Sequence, residues 1–110
     1  MRMRLYVSGP MAGYPELNFP EFKRVTSLLR ELGHEVLCPT ELGLELEAMN
    51  PPPPWQEFLW TDMLEVCKFK PDGIVMLDGW RQSRGACIEH AFLAAMNCAV
   101  IPLDQLWILK

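Results

Sequence analysis

The stretch Asp78-Gly-Trp-Arg-Gln-Ser-Arg-Gly-Ala-Cys-Ile-Glu89 decides the fold of this chain. It follows an apolar run over residues 73–77, which is short and β-branched and therefore predicts a buried strand. Ser83 is a good helix N-cap, because its hydroxyl can accept a hydrogen bond from an early backbone N–H. The residues that follow are apolar on nearly every side, which predicts a core helix.

Glu89 is the exception in that helix. It stands about two turns from the start, where a carboxylate should be semi-buried and should face the carboxyl edge of the preceding strand. Ligands bind at that edge in open parallel sheets, and Gly85 in the first turn leaves room for one. Such a carboxylate can act as a nucleophile or a general base. The plainer alternative is a Glu at a solvent edge, or one paired with Arg81, Arg84 or His90.

Length and charge limit the classes of function. The 110 residues predict one domain, 1–110, and half of them are hydrophobic, which is enough for a core. A chain this short still buries a modest fraction of its surface, so we expect a homodimer or a higher homo-oligomer. The formal net charge of −4 argues against a nucleic-acid polymer as partner, since binding its phosphates needs clustered Lys and Arg. Helix N-termini can still bind the phosphate of a mononucleotide.

Cysteine spacing and hydropathy indicate a cytoplasmic protein. The four cysteines form no C-x-x-C pair and are expected to be reduced structural thiols. No metal site is expected, because only His34 and His90 could join them and the spacing is wrong. No organic cofactor is indicated. No apolar run is long enough to span a bilayer, so we expect no membrane partner.

Apolar periodicity predicts the other elements. In chain order they begin with a strand over 3–7, a helix over 19–32 with Asn18 as N-cap and Gly33 as C-cap, and a strand over 34–38. One or two helical turns follow within 40–49, then a polyproline connector over 50–54 and a helix over 55–69. After the central motif come a strand over 99–103 and a last strand or extended tail over 104–109. Strands that alternate with helices imply a parallel sheet with right-handed crossovers. We therefore predict an α/β, flavodoxin/Rossmann-like three-layer sandwich. Its parallel sheet should have four to five strands, with helices on both faces.

Two further segments bear on a site. Backbone N–H groups of the loop after the first strand, residues 8–13, can hold a phosphate or sugar oxygen, although a plain strand–turn–helix explains the loop equally well. The prolines should carry the chain over the mouth of the site. Trp60 gives the helix over 55–69 a second apolar face, suited to a partner subunit. Spacing alone does not exclude that Asp62 faces solvent and has no role in a site.

Motifs spread over almost the whole chain carry a family resemblance. They are Tyr6-Val-Ser-Gly-Pro-Met-Ala-Gly13, Asn18-Phe-Pro-x-Phe22, Gly33-His-Glu-Val36, Pro39, Asp62 and Gly79-Trp-x-x-Ser-Arg-Gly-Ala-x-x-Glu-His90. Together they resemble DUF4406, a small family of phage and bacterial proteins. That family is similar to the nucleoside 2-deoxyribosyltransferases and the 2′-deoxynucleoside 5′-monophosphate N-hydrolases.

The resemblance implies an enzyme that acts at the N-glycosidic bond of a (deoxy)nucleoside 5′-monophosphate. Glu89 would be the nucleophile that attacks the anomeric carbon and expels the base. The resulting covalent glycosyl-enzyme would be resolved by water or by a second base. Asp62 would protonate the departing base. The transferases complete each site with residues of a neighbouring subunit, and no matching Asn is found near the end of this sequence, so hydrolysis is favoured over transfer.

The resemblance also implies a set of binding residues. Tyr6 would border the active carboxylate. The loop residues Ser8, Gly9, Met11 and Gly13 would hold the sugar and the 5′-phosphate. Ser83 stands where the transferases carry an Asp and the monophosphate hydrolases a Ser, which favours a nucleotide over a free nucleoside. Gly85 would leave space beside it, and Arg81 and Arg84 would add charge for the phosphate. Asp78 and Trp80 would line the base side, Trp80 by stacking.

Two alternatives stay open. The first is a non-catalytic nucleotide-binding module, a sensor or sponge that uses the same pocket without turnover. The second is a structural or interaction protein whose aromatic helix is a dimer or partner surface, and which should lose assembly on Trp60→Ala. An enzyme is the hypothesis that the motifs favour.

Overall fold

The computed structural model describes residues 2–110, which form a four-stranded, all-parallel sheet with strand order β2-β1-β3-β4. The elements are β1 (Arg4–Ser8), α1 (Phe19–Glu31), β2 (Glu35–Leu37), α2 (Pro39–Leu42), α3 (Leu44–Glu47), α4 (Trp55–Phe69), β3 (Gly73–Met76), α5 (Arg84–Ala95) and β4 (Ala99–Pro102). Short 3-10 segments occupy Pro15–Asn18, Trp80–Gln82 and Leu103–Leu109. The predicted α/β three-layer fold is confirmed, with four strands. No helix in this part of the chain is long and apolar enough to cross a membrane.

Side chains of the central strands alternate between two cores, because successive residues of a strand point to opposite faces of the sheet. Leu5 and Val7 of β1 belong to one core, which α1 and the C-terminal segment cover. Tyr6 of β1 and Ile74 of β3 belong to the other core, which α4 and α5 cover. The sheet is therefore the middle of three layers, with α4 and α5 in the same outer layer.

The strand order places a switch point between β1 and β3. The connection after β1 leads to β2 on one side, and the connection after β3 leads to β4 on the other side. Where two neighbouring strands connect in opposite directions, a crevice opens outside their carboxyl ends. Gly9 shows how closely the two exits approach, since a Cβ atom there would lie 2.6 Å from the Cβ of Leu77. A side chain at Gly9 would push the strands apart, so glycine is required at the floor of the crevice.

The start of α1 differs from the prediction. Asn18 occupies the N-cap position, but its backbone is left-handed (φ 63°) and its side chain makes no capping bond. The amide instead donates a hydrogen bond to the carbonyl oxygen of Pro10 at 2.9 Å. Glu16 and Leu17 are also left-handed, and three such residues in a row are unusual because each one costs about 1–2 kcal/mol. This turn ties the loop after β1 to α1.

Two more expectations are corrected by packing. The helix α5 is a core helix on one side only, since Ala86, Glu89 and Leu93 are its buried residues and its opposite side is exposed. The chain over 104–109 is a 3-10 segment rather than a strand or an extended tail. It folds back onto the α1 side of the sheet, where Leu109 is buried and its carbonyl oxygen lies 3.0 Å from Nε2 of His34.

Other local predictions are confirmed. The helix α4 spans Trp55–Phe69 as expected, and helical turns follow β2. Ser83 caps α5, and Gly33 follows α1 with φ 96°. His34 is a satisfied structural histidine, because Nδ1 accepts from the Met3 backbone N–H at 3.0 Å while Nε2 donates to the Leu109 carbonyl oxygen.

Candidate active site

Glu89 lies at the floor of the crevice, 5% exposed, with both carboxylate oxygens hydrogen-bonded. The hydroxyl of Tyr6 donates to Oε2 at 2.5 Å, and the hydroxyl of Ser8 donates to Oε1 at 2.6 Å. These two donors stand two residues apart on β1, so the pleat places both on the face that α5 covers. The strand thus holds the carboxylate in one orientation.

Opposing effects act on the charge of Glu89. Burial raises the pKa of this carboxyl, while the hydrogen bonds from Ser8 and Tyr6 lower it, and the net result is a pKa above the usual range. The alternative of pairing with Arg81, Arg84 or His90 is not found, since within residues 2–110 no basic side chain forms an ion pair with Glu89. The carboxylate is held by hydroxyl groups alone.

Asp62 supplies a second carboxyl to the same cavity from α4. It is partly buried rather than solvent-facing. Burial, together with the negative charge of Glu89, raises the pKa of Asp62 to about 8. At neutral pH Asp62 is therefore largely protonated. The cavity thus contains the protonated carboxyl of Asp62 and the carboxyl of Glu89, which accepts two hydrogen bonds. Two carboxyls with separated pKa values can divide the roles of acid and nucleophile.

The two carboxyls face a cavity of about 610 Å³. This volume falls in the range of small-molecule sites, about 300–1,000 Å³. Its wall is mostly apolar and comes from the loop after β1, α4, the proline connector and the start of α5. The lining residues include Gly9, Met11, Tyr14, Leu17, Pro39, Glu47, Pro52, Trp55, Phe58, Leu59, Ser83, Arg84 and Gly85. Pro52 is among them, so the connector does border the cavity, as predicted.

The first turn of α5 forms one end of the cavity. The Ser83 hydroxyl accepts from the Ala86 N–H at 3.2 Å, which fixes the turn, and open space lies where a Cβ atom of Gly85 would stand. The Arg84 guanidinium lies 5.3 Å from the centre of the Trp55 ring, across from α4. A helix start with an adjacent guanidinium can bind an anion such as phosphate.

The structure brings most of the predicted site residues together. Gly9, Met11, Asp62, Ser83, Gly85 and Glu89 line the cavity, and Tyr6 stands behind Glu89, as the resemblance implied. The placement of Ser8 differs from the expectation of sugar or phosphate contact. Ser8 is fully buried, and its hydroxyl is engaged by Glu89. It therefore supports the carboxylate from behind.

Gly13, Asp78 and Trp80 are not among the residues that line the cavity, so the expected contact of Asp78 and Trp80 with the base stays a prediction. The Trp80 ring is stacked on His90 with centroids 4.4 Å apart, and the Arg81 guanidinium lies 4.6 Å from its centre. Asp78 is exposed beyond the end of β3. The short 3-10 segment that contains Trp80 reaches the cavity only through its last residue, Gln82.

Sequence reasoning missed the aromatic wall. Trp55, Phe58 and Leu59 share one face of α4, and this face lines the cavity. The signal was present, because residues at i, i+3, i+4 and i+7 share one helical face, and Asp62 completes that series. No comparable signal marked Tyr14, which reaches the cavity through the turn before α1.

The Tyr6–Glu89 hydrogen bond yields a first testable prediction. Tyr6→Phe keeps the ring in the core but removes the donor to Oε2, so we expect the pKa of Glu89 to rise further and any activity that needs its ionised form to fall about tenfold. The readout is the pH–rate profile, whose acid limb should move to higher pH. Tyr14→Phe is the matched hydroxyl deletion on the exposed cavity wall and should leave that limb in place. An unshifted acid limb in Tyr6→Phe would contradict the assigned role of this bond.

Comparison with known proteins gives one match. The model of a family described as Domain of unknown function (DUF4406) matches residues 3–102. No curated protein and no solved structure matches the chain. The matched region contains every residue of the cavity described above.

Proposed function

The chain belongs to the DUF4406 family, and from this premise and the geometry of its cavity we propose that it breaks the N-glycosidic bond of a (deoxy)nucleoside 5′-monophosphate. The observation that carries the proposal is the buried carboxylate of Glu89, oriented by two hydroxyl donors at the floor of a cavity that also contains a protonated Asp62. A nucleophile beside a proton donor is what glycosidic cleavage with a covalent intermediate requires.

In the first step, an oxygen of Glu89 attacks C1′ of the sugar. The C1′–N bond breaks, its electron pair stays on the base nitrogen, and Asp62 gives its proton to the base. The transition state resembles an oxocarbenium ion, which the negative charge of Glu89 stabilises before the new bond is complete. The hydroxyls of Tyr6 and Ser8 keep the carboxylate aligned for attack.

In the second step, water attacks C1′ of the glycosyl ester and the C1′–O bond to Glu89 breaks. Asp62, now ionised, takes a proton from the water and is ready for another cycle. A second base in place of water would give transfer instead of hydrolysis. The two reactions share every step up to the release of the first base.

Each end of the cavity suits one part of a nucleotide. The start of α5, with Ser83, Gly85 and Arg84, suits the 5′-phosphate. The aromatic wall of Trp55 and Phe58 suits the flat base, since stacking on such rings is favourable for every base. We also propose a homo-oligomer, in keeping with the small size of the chain and the exposed aromatic side chain of Trp60.

The experiment that tests this proposal is base release from a panel of deoxyribo- and ribonucleoside 5′-monophosphates, followed by chromatography. We expect free base from at least one member of the panel. If no member of the panel releases base while calorimetry still detects nucleotide binding, the proposed enzyme activity is wrong and the chain is a non-catalytic binding module. Binding of no nucleotide at all would leave the interaction protein.

A further inference from the structure

The exposed side of α5 carries an apolar stripe that nothing in the described chain covers. It consists of Ile88, Ala91, Phe92, Ala95 and Met96, which follow the spacing i, i+3, i+4, i+7 and i+8 of one helical face. Ile88, Phe92 and Met96 are 41%, 38% and 62% exposed. The opposite side of the helix buries its own apolar residues in the core. A helix with apolar residues on both sides normally packs on both sides.

The stripe itself contains no charged side chain, and exposed Arg84 lies one turn before Ile88 on the same helical face. From residue 86 to residue 103 the sequence contains one carboxylate, Glu89, and it is buried. His90 in the same stretch is stacked on Trp80. Val100 on the edge strand β4 extends the apolar surface. Two copies of a chain with net charge −4 repel each other over most of their surfaces, so an uncharged surface is where they can meet.

The order of side-chain sizes within the stripe fits a second copy of itself. We propose that α5 packs antiparallel on α5 of a second copy about a two-fold axis near Phe92. Ile88 of one copy then meets Met96 of the other, and the reverse contact follows by symmetry. Phe92 enters the shallow hollow above Ala91 and Ala95 of the other copy, as a ridge enters a groove. A two-fold interface needs such self-complementarity.

The neighbouring helix enlarges the interface. Trp60 and Leu64 on α4 are 73% and 57% exposed, and α4 lies beside α5 in the same outer layer. The proposed interface does not depend on the proposed reaction, because no residue of the stripe lines the cavity.

Sedimentation velocity over a dilution series tests this interface. We expect wild type to sediment as a particle of twice the 12.6 kDa chain mass, and Phe92→Asp to sediment as a monomer, with dissociation at least about a hundredfold easier. Trp107→Asp is the matched control, because Trp107 is 69% exposed on the C-terminal segment, across the sheet from α5. This variant should remain a dimer.

A second variant distinguishes loss of the interface from misfolding. Ala95→Arg adds charge to the exposed stripe without removing a buried group, so its circular dichroism spectrum should match that of wild type while the dimer is lost. A wild type that is monomeric throughout the series would overturn the proposal. So would a folded Phe92→Asp or Ala95→Arg that dimerises like wild type.

Discussion

Glu89→Gln is expected to lower the rate of base release by at least about a thousandfold, because the amide cannot form the bond to C1′. The substitution keeps the shape of the side chain. The hydroxyls of Tyr6 and Ser8 can rotate, and each can donate to or accept from the amide, so the core should tolerate it. Initial rates of base release, with protein and nucleotide concentrations matched, measure the effect.

The control for this variant is Glu57→Gln. Glu57 is an exposed carboxylate on α4 that does not line the cavity, so the same chemical change there should leave the rate within about twofold of wild type. Nucleotide binding to Glu89→Gln, measured by calorimetry, should persist. Base release by Glu89→Gln within about tenfold of the wild-type rate would contradict a nucleophilic role.

Asp62→Asn is expected to lower base release by about a hundredfold or more, because the departing base loses its proton donor. The dependence of the rate on pH tests this role of Asp62. Since the pKa of Asp62 is raised to about 8, its acid form is present below that pH, and the wild-type rate should fall as the pH rises through 8. On the acid side the rate should fall as Glu89, whose pKa is also raised, becomes protonated. Asp62→Asn should lose the alkaline limb and keep the acid limb.

Protein stability separates this effect from misfolding. The folded-state pKa of Asp62 lies above its unfolded value of about 4, so the stability it contributes is complete at acid pH and is lost as the pH rises through 8. Asn carries no charge at any pH, so Asp62→Asn should be at least as stable as wild type at pH 8 by thermal denaturation. If folded Asp62→Asn keeps the alkaline limb, a group other than Asp62 causes that limb and donates the proton to the departing base.

The fold could be predicted from the sequence where neighbouring residues determine an element. The apolar periodicity of α4 predicts both of its ends, and the capping hydroxyl of Ser83 predicts the start of α5. The left-handed turn at Glu16, Leu17 and Asn18 has little such signal, because only Asn18 is of a type that adopts this conformation readily. The C-terminal segment was misassigned because its apolar run suits a strand, whereas its burial against His34 depends on tertiary packing.

The candidate site was predictable where one element determines it. Glu89 stood out as a carboxylate in an apolar helix, and the alternation of Tyr6 and Ser8 places both on the face of β1 that α5 covers. That the two hydroxyls bind the two oxygens of one carboxylate depends on how α5 sits on the sheet, which periodicity does not specify. The orientation of Trp80 depends on its contact with His90, which periodicity also does not specify.

Trapping the covalent intermediate tests the nucleophilic role of Glu89 directly. A nucleoside 5′-monophosphate with fluorine at C2′ slows both steps, because fluorine destabilises the oxocarbenium-like transition state, and a good leaving base lets the first step still proceed. Intact-mass spectrometry followed by peptide mapping then locates the sugar. We expect one sugar phosphate per chain, attached to Glu89 and absent from Glu89→Gln. Release of the base with no sugar on the protein, or a sugar attached to another residue, would contradict it.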